Sequence, residues 1–269
     1  MSAPKNIYFF QALVQFARWL KARRQFYRTR REMPWRLRPV RNFVIALIAN
    51  PRAALKYARR YLIIKNMSFP CFRLQVFGPR LLKETMNICR QVDIHPFLSY
   101  GSLLGYFRER ALIDTDNDID LGLLENEAHK LPLLKKAMVA QGYRIRIDTE
   151  LELSFRKKRF DGIYIDFWIH RIHQASKTIY SGCLFADRRD EKVSIFPFAP
   201  DIFARMKKVK FLGVDVFIPH QPERYLLKTY GKDWRIPFNR EYTFQEKTKF
   251  IYPHRLKISK EEYYRGDFL

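Results

Sequence analysis

The stretch that decides the fold is YGSLLGYFRERALIDTDNDIDLGLL, residues 100–124. It opens with a Gly-Ser turn, continues into a short apolar pattern that predicts a helix over 103–108, and closes on a pattern that predicts a strand over 117–124. The strand carries an Asp-x-Asp motif in an otherwise apolar run. Charged groups at alternate positions of a buried strand are costly and therefore need a chemical reason.

The aspartate pair predicts a cation site. Residues two apart on a strand face the same way, so Asp118 and Asp120 project together while Ile119 points into the core. Two ionised carboxylates this close repel each other and resist burial. A hard divalent cation such as Mg²⁺ resolves the conflict, because it is held by one or two carboxylates plus substrate phosphates. The alternative is a solvated acidic loop, since Asp114 and Asp116 precede the pair.

A third aspartate lies in a later apolar strand. Asp166 stands among aliphatic and aromatic residues in the strand predicted over 163–169. An uncompensated charge is expensive to bury there, and a metal ligand or a general base would explain it. A salt bridge to one of the many arginines is the alternative.

The Gly-Ser turn suits an anion. At Gly101 the missing side chain lets backbone N–H groups approach a phosphate, Ser102 adds a hydroxyl donor, and a helix N-terminus follows. Arg108, one short helix later, could clamp the same phosphate through a bidentate contact. Taken alone, the pair would be a plain turn and the arginine an exposed side chain.

Together these elements form the pattern of the nucleotidyltransferase fold: Gly-Ser, about fifteen residues, Asp-x-Asp on a strand, then a third Asp on a later strand. Strands and helices alternate without strict βαβ order, which predicts an α+β fold with a mixed sheet flanked by helices. Strands are predicted over 94–100, 117–124, 143–147, 151–157, 163–169, 207–211 and 214–218, and helices over 103–108, 127–141 and 222–230, besides a helix face at Leu82, Met86, Cys89 and Val92.

Several separated motifs, in order, resemble the LicD/fukutin family, and fukutin more than the bacterial choline branch. They span roughly residues 80–240: 100–108, Ile113, 118–122, 151–155, 165–168, 216–219, 225–226, 230–234 and Pro237. The bacterial branch often has Trp-Asp-Asp-Asp where this chain has Thr-Asp-Asn-Asp, residues 115–118, so the role of Asp116 stays open.

The resemblance implies a phosphotransferase. Such enzymes move an alcohol phosphate, of the ribitol phosphate or phosphocholine type, from a CDP-linked donor to a glycan or lipid-linked glycan and release CMP. Asp118 and Asp120 would hold Mg²⁺ or Mn²⁺, and Asp166 would complete the metal site or accept the proton of the acceptor hydroxyl. Two alternatives are a true nucleotidyltransferase that transfers NMP, and a non-catalytic binder of polyanions or membranes, which would gain nothing from clustered acids.

The positive charge is concentrated at the front of the chain. The net charge is +24, and residues 1–65 hold sixteen Lys or Arg against one acid, Glu32. We therefore expect a basic helical region over 1–69, with helices over 7–27, over 40–49 and from Asn50-Pro51, ahead of a catalytic domain over 70–269. Its aromatic, basic helix either lies on an anionic membrane surface or packs on the body. Nucleic acid is not an expected partner, because no nucleic-acid motif accompanies the charge.

The start of the chain lacks the pattern of a secretory signal peptide, and its longest early apolar run, residues 43–49, is too short to span a bilayer. The three cysteines show neither metal-ligand spacing nor a disulfide framework. These features predict a cytoplasmic protein, peripheral on the inner face of the membrane if the basic region binds lipid.

Overall fold

The structure is a computed structural model that describes residues 50–51, 69–157, 160, 162–183, 192–237, 254–266 and 268–269. The chain divides into two units, Met1–Phe69 and Pro70–Leu269, and the described residues belong almost entirely to the second. The helices predicted over 7–27 and 40–49 lie outside the described residues, as does nearly all of the one predicted from Asn50-Pro51.

The described part of the chain contains interleaved helices and strands. The helices are α1 (Phe69–Gln91), α2 (Tyr100–Arg108), α3 (Leu131–Ala140), α4 (Pro222–Tyr230) and α5 (Lys260–Arg265), with 3₁₀ helices at Glu125–Lys130 and Pro200–Phe203. The strands are β1 (Phe97–Leu98), β2 (Asp118–Leu124), β3 (Tyr143–Asp148), β4 (Glu152–Lys157), β5 (Tyr164–Ile172), β6 (Ile179–Cys183), β7 (Lys192–Phe198), β8 (Lys207–Phe211), β9 (Val214–Ile218) and β10 (Leu256–Ser259).

These strands form one mixed sheet in the order β10-β7-β6-β5-β2-β1-β9-β8, and β4 and β3 branch from it at β5. The β2–β5 and β1–β9 pairs are parallel, and the others are antiparallel. Beside β2, strand β5 pairs first with β4 and then, at Arg171 and Ile172, with β6. The predicted α+β fold with a mixed sheet flanked by helices is confirmed.

Local chemistry explains where several elements begin and end. Pro222 opens α4, where a missing N–H costs nothing, and Gly231 follows its last residue at φ +81°. A capping box between Ser259 and Glu262 starts α5. The predicted hairpin of β8 and β9 and the helix α4 have the bounds that the sequence indicates.

The strand predicted over 94–100 is largely wrong. Only Phe97 and Leu98 pair as a strand, because Pro96 has no N–H for a ladder and the chain turns into α2 at Tyr100. The Gly-Ser pair therefore lies in the first turn of α2, not in a separate turn before it. Tyr100 takes the unusual φ of +35° there, and its hydroxyl donates to Ser181 Oγ at 3.1 Å.

The helix predicted over 127–141 is divided. A 3₁₀ segment over Glu125–Lys130 precedes α3, whose second residue is Pro132. Proline lacks the N–H that a continuous helix would use at that point, so a new helix starts there. Gly142 follows α3 at φ +81°, at the predicted C-terminal position.

An aromatic cluster packs beneath the first strands. The rings of Phe198 and Tyr225 stack at 4.6 Å, and Phe97 and Phe203 pack against His170. Burial lowers the pKa of His170 to about 3, so this histidine is neutral and serves as a core residue.

Strands β6, β7 and β10 and the helix α5 were not predicted. They extend the sheet beyond β5 and enclose a second apolar cluster of Leu151, Tyr180, Val193, Ile195 and Tyr263. Among the helices of the described residues, none combines the length and the apolar character needed to cross a bilayer.

Candidate active site

Two parallel strands bring the predicted aspartates together. Strands β2 and β5 pair with Asp120 directly opposite Asp166, and Asp118 lies two residues earlier on the same face. Ligand oxygens of the three carboxylates all lie within 4.8 Å of one another. Residues far apart in sequence therefore form one acidic cluster, which we define as Asp118, Asp120 and Asp166.

Neighbouring side chains orient two of these carboxylates. The indole Nε1 of Trp168 donates to Asp120 Oδ1 at 2.8 Å. The hydroxyl of Ser154, opposite Asp166 on the adjacent strand β4, donates to Asp166 Oδ1. Asp120 and Asp166 are only 7% and 2% exposed, while Asp118 is partly buried. The cluster thus lies at the buried floor of the site with one member nearer to solvent.

Burial and mutual repulsion make the cluster resist ionisation. Burial, together with the charge of Asp166, raises the pKa of Asp120 from 3.8 to about 8. Burial and the neighbouring aspartates raise the pKa of Asp118 well above 3.8, and burial raises that of Asp166. Full ionisation of the three groups is therefore unfavourable unless a cation compensates their charge.

The donor set fits a hard divalent metal. The three ligands are carboxylate oxygens, which suit Mg²⁺ or Mn²⁺, whereas a zinc site would be expected to include histidine or cysteine. The arrangement can therefore hold such an ion, with partly exposed Asp118 on the side open to further ligands.

Gly101 and Ser102 support the Asp120 strand. Ser102 is buried, and its hydroxyl accepts the backbone N–H of Asp120 at 2.9 Å. The backbone N–H of Gly101 bonds to the carboxylate of Asp120. A Cβ at Gly101 would lie 2.6 Å from Asp116 Oδ2 and 3.0 Å from Asp120 Oδ2, so a larger residue would require these carboxylates to shift. Contact of either residue with a phosphate stays a prediction.

Arg108 lies at the end of α2 with two backbone partners. Its Nε donates to the carbonyl of Trp234 at 2.5 Å, and Nη2 donates to the carbonyl of Ile236 at 3.0 Å. These bonds tie α2 to the segment after α4. Binding of a phosphate by Arg108 stays a prediction, and it would compete with these carbonyl contacts.

Asp116 lies next to the cluster. Burial raises its pKa to about 7, with the charge of Arg108 acting in the opposite direction. Its carboxylate faces Gly101 and is near enough to raise the pKa of Asp120. Asp116 is thus a neighbour of the acidic cluster, outside the three residues that share one ligand position.

Four further residues, which have no role predicted from the sequence, contact the cluster or its neighbours: Arg146, Glu152, Ser154 and Trp168. For three of these residues, the spacing in the sequence indicates a position near the site. Glu152 and Ser154 alternate on an apolar strand, and Trp168 stands two residues after Asp166, so each pair shares a face. Arg146 had no such signal, being one of 51 basic residues.

A mixed sheet with carboxylates on two neighbouring parallel strands defines a nucleotidyltransferase-like domain. Residues 93–221 match the family model described as "LicD/FKTN/FKRP, nucleotidyltransferase domain". The match to this family model confirms the resemblance to the LicD/fukutin family that the sequence motifs indicate.

Curated relatives agree at low identity. An uncharacterized protein of Rickettsia prowazekii (strain Madrid E) is 25% identical over 180 residues, 66% of this chain and 59% of that protein. "Ribitol-5-phosphate transferase FKTN" of Homo sapiens is 22% identical over 189 residues, 69% of this chain and 39% of that protein. The aligned region is thus less than two thirds of the length of either relative.

Two solved structures are similar at low scores. Lincosamide antibiotic adenylyltransferase LnuA, lincomycin-bound, aligns with a TM-score of 0.38 and 10% identity, over 64% of this chain and 92% of that one. ANT(2")-Ia in complex with adenylyl-2"-tobramycin aligns with a TM-score of 0.35 and 10% identity, over 53% and 68%. Both TM-scores are below 0.5, so we draw no conclusion about fold or function from these two structures.

Proposed function

We propose that this protein is a metal-dependent phosphotransferase that moves an alcohol phosphate from a CDP-linked donor to a glycan and releases CMP. The observation that carries the proposal is the convergence of Asp118, Asp120 and Asp166 within 4.8 Å in a domain that matches the LicD/fukutin family model. The fukutin relatives are named ribitol-5-phosphate transferases, which favours ribitol phosphate over phosphocholine as the transferred group.

The three aspartates share two tasks in the proposed reaction, which are metal binding and proton transfer. Asp118 and Asp120 would hold Mg²⁺ or Mn²⁺, and such an ion would supply positive charge to offset that of the donor diphosphate and of the CMP leaving group. Trp168 fixes Asp120 through its 2.8 Å hydrogen bond. Asp166, oriented by Ser154, completes the metal site or accepts the proton of the acceptor hydroxyl.

The first turn of α2 forms the other side of the proposed donor site. Gly101 lets the backbone approach the carboxylates closely, and Ser102 accepts the backbone N–H of Asp120. A diphosphate bound at the acidic cluster would therefore lie near the N-terminus of this helix, which favours anions. Arg108 remains a candidate phosphate contact that would have to leave the carbonyls of Trp234 and Ile236.

We further propose that residues 1–65, with sixteen basic side chains, bind an anionic membrane surface on the cytoplasmic side. That location would bring the catalytic domain, residues 70–269, to a lipid-linked glycan acceptor. The charge of the segment supports this proposal.

A true nucleotidyltransferase is the second candidate. The same carboxylates would serve attack on the phosphorus nearer the nucleoside, and the description of the matching domain names that class. A non-catalytic binder is disfavoured, because buried, mutually repelling carboxylates would only hinder the binding of polyanions.

A donor screen tests the proposal. Purified protein is incubated with CDP-ribitol, CDP-choline, CTP or ATP, each with Mg²⁺, Mn²⁺ or excess chelator, and released CMP and pyrophosphate are quantified. We expect metal-dependent CMP release, greater with CDP-ribitol than with CDP-choline. Consumption of CTP or ATP with release of pyrophosphate would favour the second candidate.

A further inference from the structure

A cationic side chain contacts the acidic cluster. Arg146 Nη2 lies 3.4 Å from Asp166 Oδ1 and 3.6 Å from Glu152 Oε1. Its Nε donates to Ser154 Oγ at 2.8 Å, and Ser154 in turn donates to Asp166. Among the described residues, no other Lys or Arg forms a salt bridge with a member of the cluster. The guanidinium is therefore fixed at the edge of the proposed metal site.

A β-bulge places this arginine. Strand β3 pairs with β4 regularly up to Ile145 opposite Phe155, and the register then shifts so that Ile147 lies opposite Ser154. Arg146 is the extra residue at this shift. Bulges bend an edge strand and redirect a side chain, and they are frequent next to active sites. This bulge directs Arg146 toward Ser154 and Asp166.

The guanidinium retains capacity for a ligand. The Arg146 side chain is 34% exposed, and its Cζ lies 4.5 Å from the centre of the Tyr164 ring, which supports one face of the planar group. Its Nη1 has no hydrogen-bond partner among the described residues. Arg108, by contrast, uses both Nε and Nη2 on carbonyl oxygens.

We propose that Arg146 binds the donor phosphate beside the metal, an inference that rests on the proposed function. A diphosphate brings negative charge to a site that already holds three carboxylates with Glu152 next to them, and one divalent cation cannot balance this total. A fixed guanidinium supplies the missing positive charge, and its planar fork suits two phosphate oxygens. Ser154 and Tyr164 hold the fork in place before the donor arrives.

Titrations with inorganic pyrophosphate and with CDP, both at saturating Mg²⁺, test this role. Arg146→Gln should weaken pyrophosphate binding by about tenfold or more, the scale of a lost hydrogen bond to a charged group. Mg²⁺ affinity measured without pyrophosphate should be unchanged or tighter, because a competing cation is removed. The pyrophosphate affinity of Arg146→Lys should lie between those of the wild type and Arg146→Gln, since lysine keeps the charge but lacks the planar guanidinium. If Arg146→Gln does not fold, Arg146→Lys serves as the test variant.

Arg144→Gln is the matched control, because Arg144 is an exposed residue on the same strand. It should bind pyrophosphate as the wild-type protein does. Equal pyrophosphate affinity in the Arg146 and Arg144 variants would overturn the inference, and so would a loss fully explained by weaker Mg²⁺ binding. Failure of the wild-type protein to bind pyrophosphate would also overturn it. If the wild type binds pyrophosphate but not CDP, the CDP-linked donor is wrong and the role of Arg146 is judged on pyrophosphate alone.

Discussion

Asp120 lies directly opposite Asp166 on the parallel strands β2 and β5, so that two buried carboxylates face each other across one strand spacing. Neighbouring strands are about 4.8 Å apart, a distance at which two ionised carboxylates repel strongly in a dry environment. A divalent cation between these carboxylates would relieve the repulsion, which supports the proposed metal site.

Substitution of a metal ligand should separate activity from stability. Asp118→Asn or Asp120→Asn is expected to lower turnover by more than about 100-fold, because even residues that only orient metal ligands are worth 10–100-fold. Each change also relieves charge repulsion, so the metal-free melting temperature should stay equal or rise. Asp215→Asn, an exposed aspartate on the hairpin, is the control. Wild-type turnover in either cluster variant, or in excess chelator, would contradict the metal role.

The affinity for metal should depend on pH. The pKa values of about 8 for Asp120 and about 7 for Asp116 and Glu152 lie above their ordinary values. Since the folded protein holds these protons to higher pH than the unfolded chain, the metal-free fold should lose stability as pH rises from about 4 through 8.

Metal needs the ionised carboxylates and displaces those protons, so Mg²⁺ affinity should increase over the upper part of this range. For each proton released, the gain is about tenfold per pH unit. Calorimetric titration with Mg²⁺ between about pH 6 and pH 8.5 measures this change in affinity. The affinity of Asp120→Asn should depend less steeply on pH, because this variant lacks one of the titrating carboxylates. An affinity that is flat across this range would show that the carboxylates are already ionised.

A methyl group at Gly101 should disturb the acidic cluster. In Gly101→Ala the Cβ would meet the carboxylates of Asp116 and Asp120, and both must move. We expect metal affinity and turnover to fall by about tenfold or more, as when the orientation of a ligand is lost. In Gly213→Ala the Cβ meets nothing within 4 Å but φ is +79°, so stability should fall by about 1 kcal/mol with turnover unchanged. Equal turnover in the two variants would contradict the close-approach argument.

The basic N-terminal segment is tested separately. If residues 1–65 dock on anionic lipid, each nearby Lys or Arg contributes about 1 kcal/mol. Deleting the segment should then abolish sedimentation with anionic vesicles, and high salt should have the same effect on the full chain. Neutral vesicles serve as the control. A truncated protein that is unstable would indicate packing on the body, and equal vesicle binding with and without the segment would rule out lipid docking.

The parts of the site that could be predicted are those set by local periodicity. The period of two along Asp118–Asp120 places both carboxylates on one face, and the pairing of β2 with β5 adds Asp166. The turn chemistry at Pro222, Gly231 and Gly213 likewise indicates the bounds of α4 and of the β8–β9 hairpin.

The missed parts depend on tertiary context. Strand β1 has only two residues and is held in place by its pairing with β2 and β9. Its start, directly after Pro96, could not be predicted from the local sequence. Arg146 reaches the cluster through a one-residue register shift, which no periodicity reveals. The carbonyl partners of Arg108 come from residues 234 and 236, more than 120 positions away.

The identity of the transferred group tests the central claim most directly. The geometry of Asp118, Asp120 and Asp166 positions a metal on a diphosphate but serves attack on either phosphorus. The protein is incubated with CDP-ribitol, metal and a glycan acceptor, and the mass of the product is measured beside released CMP. We predict an acceptor heavier by one ribitol phosphate, with CMP release that rises when the acceptor is added and stops in chelator. An acceptor that instead gains a nucleotide from CTP or ATP, with release of pyrophosphate, would contradict the phosphotransferase and establish a nucleotidyltransferase.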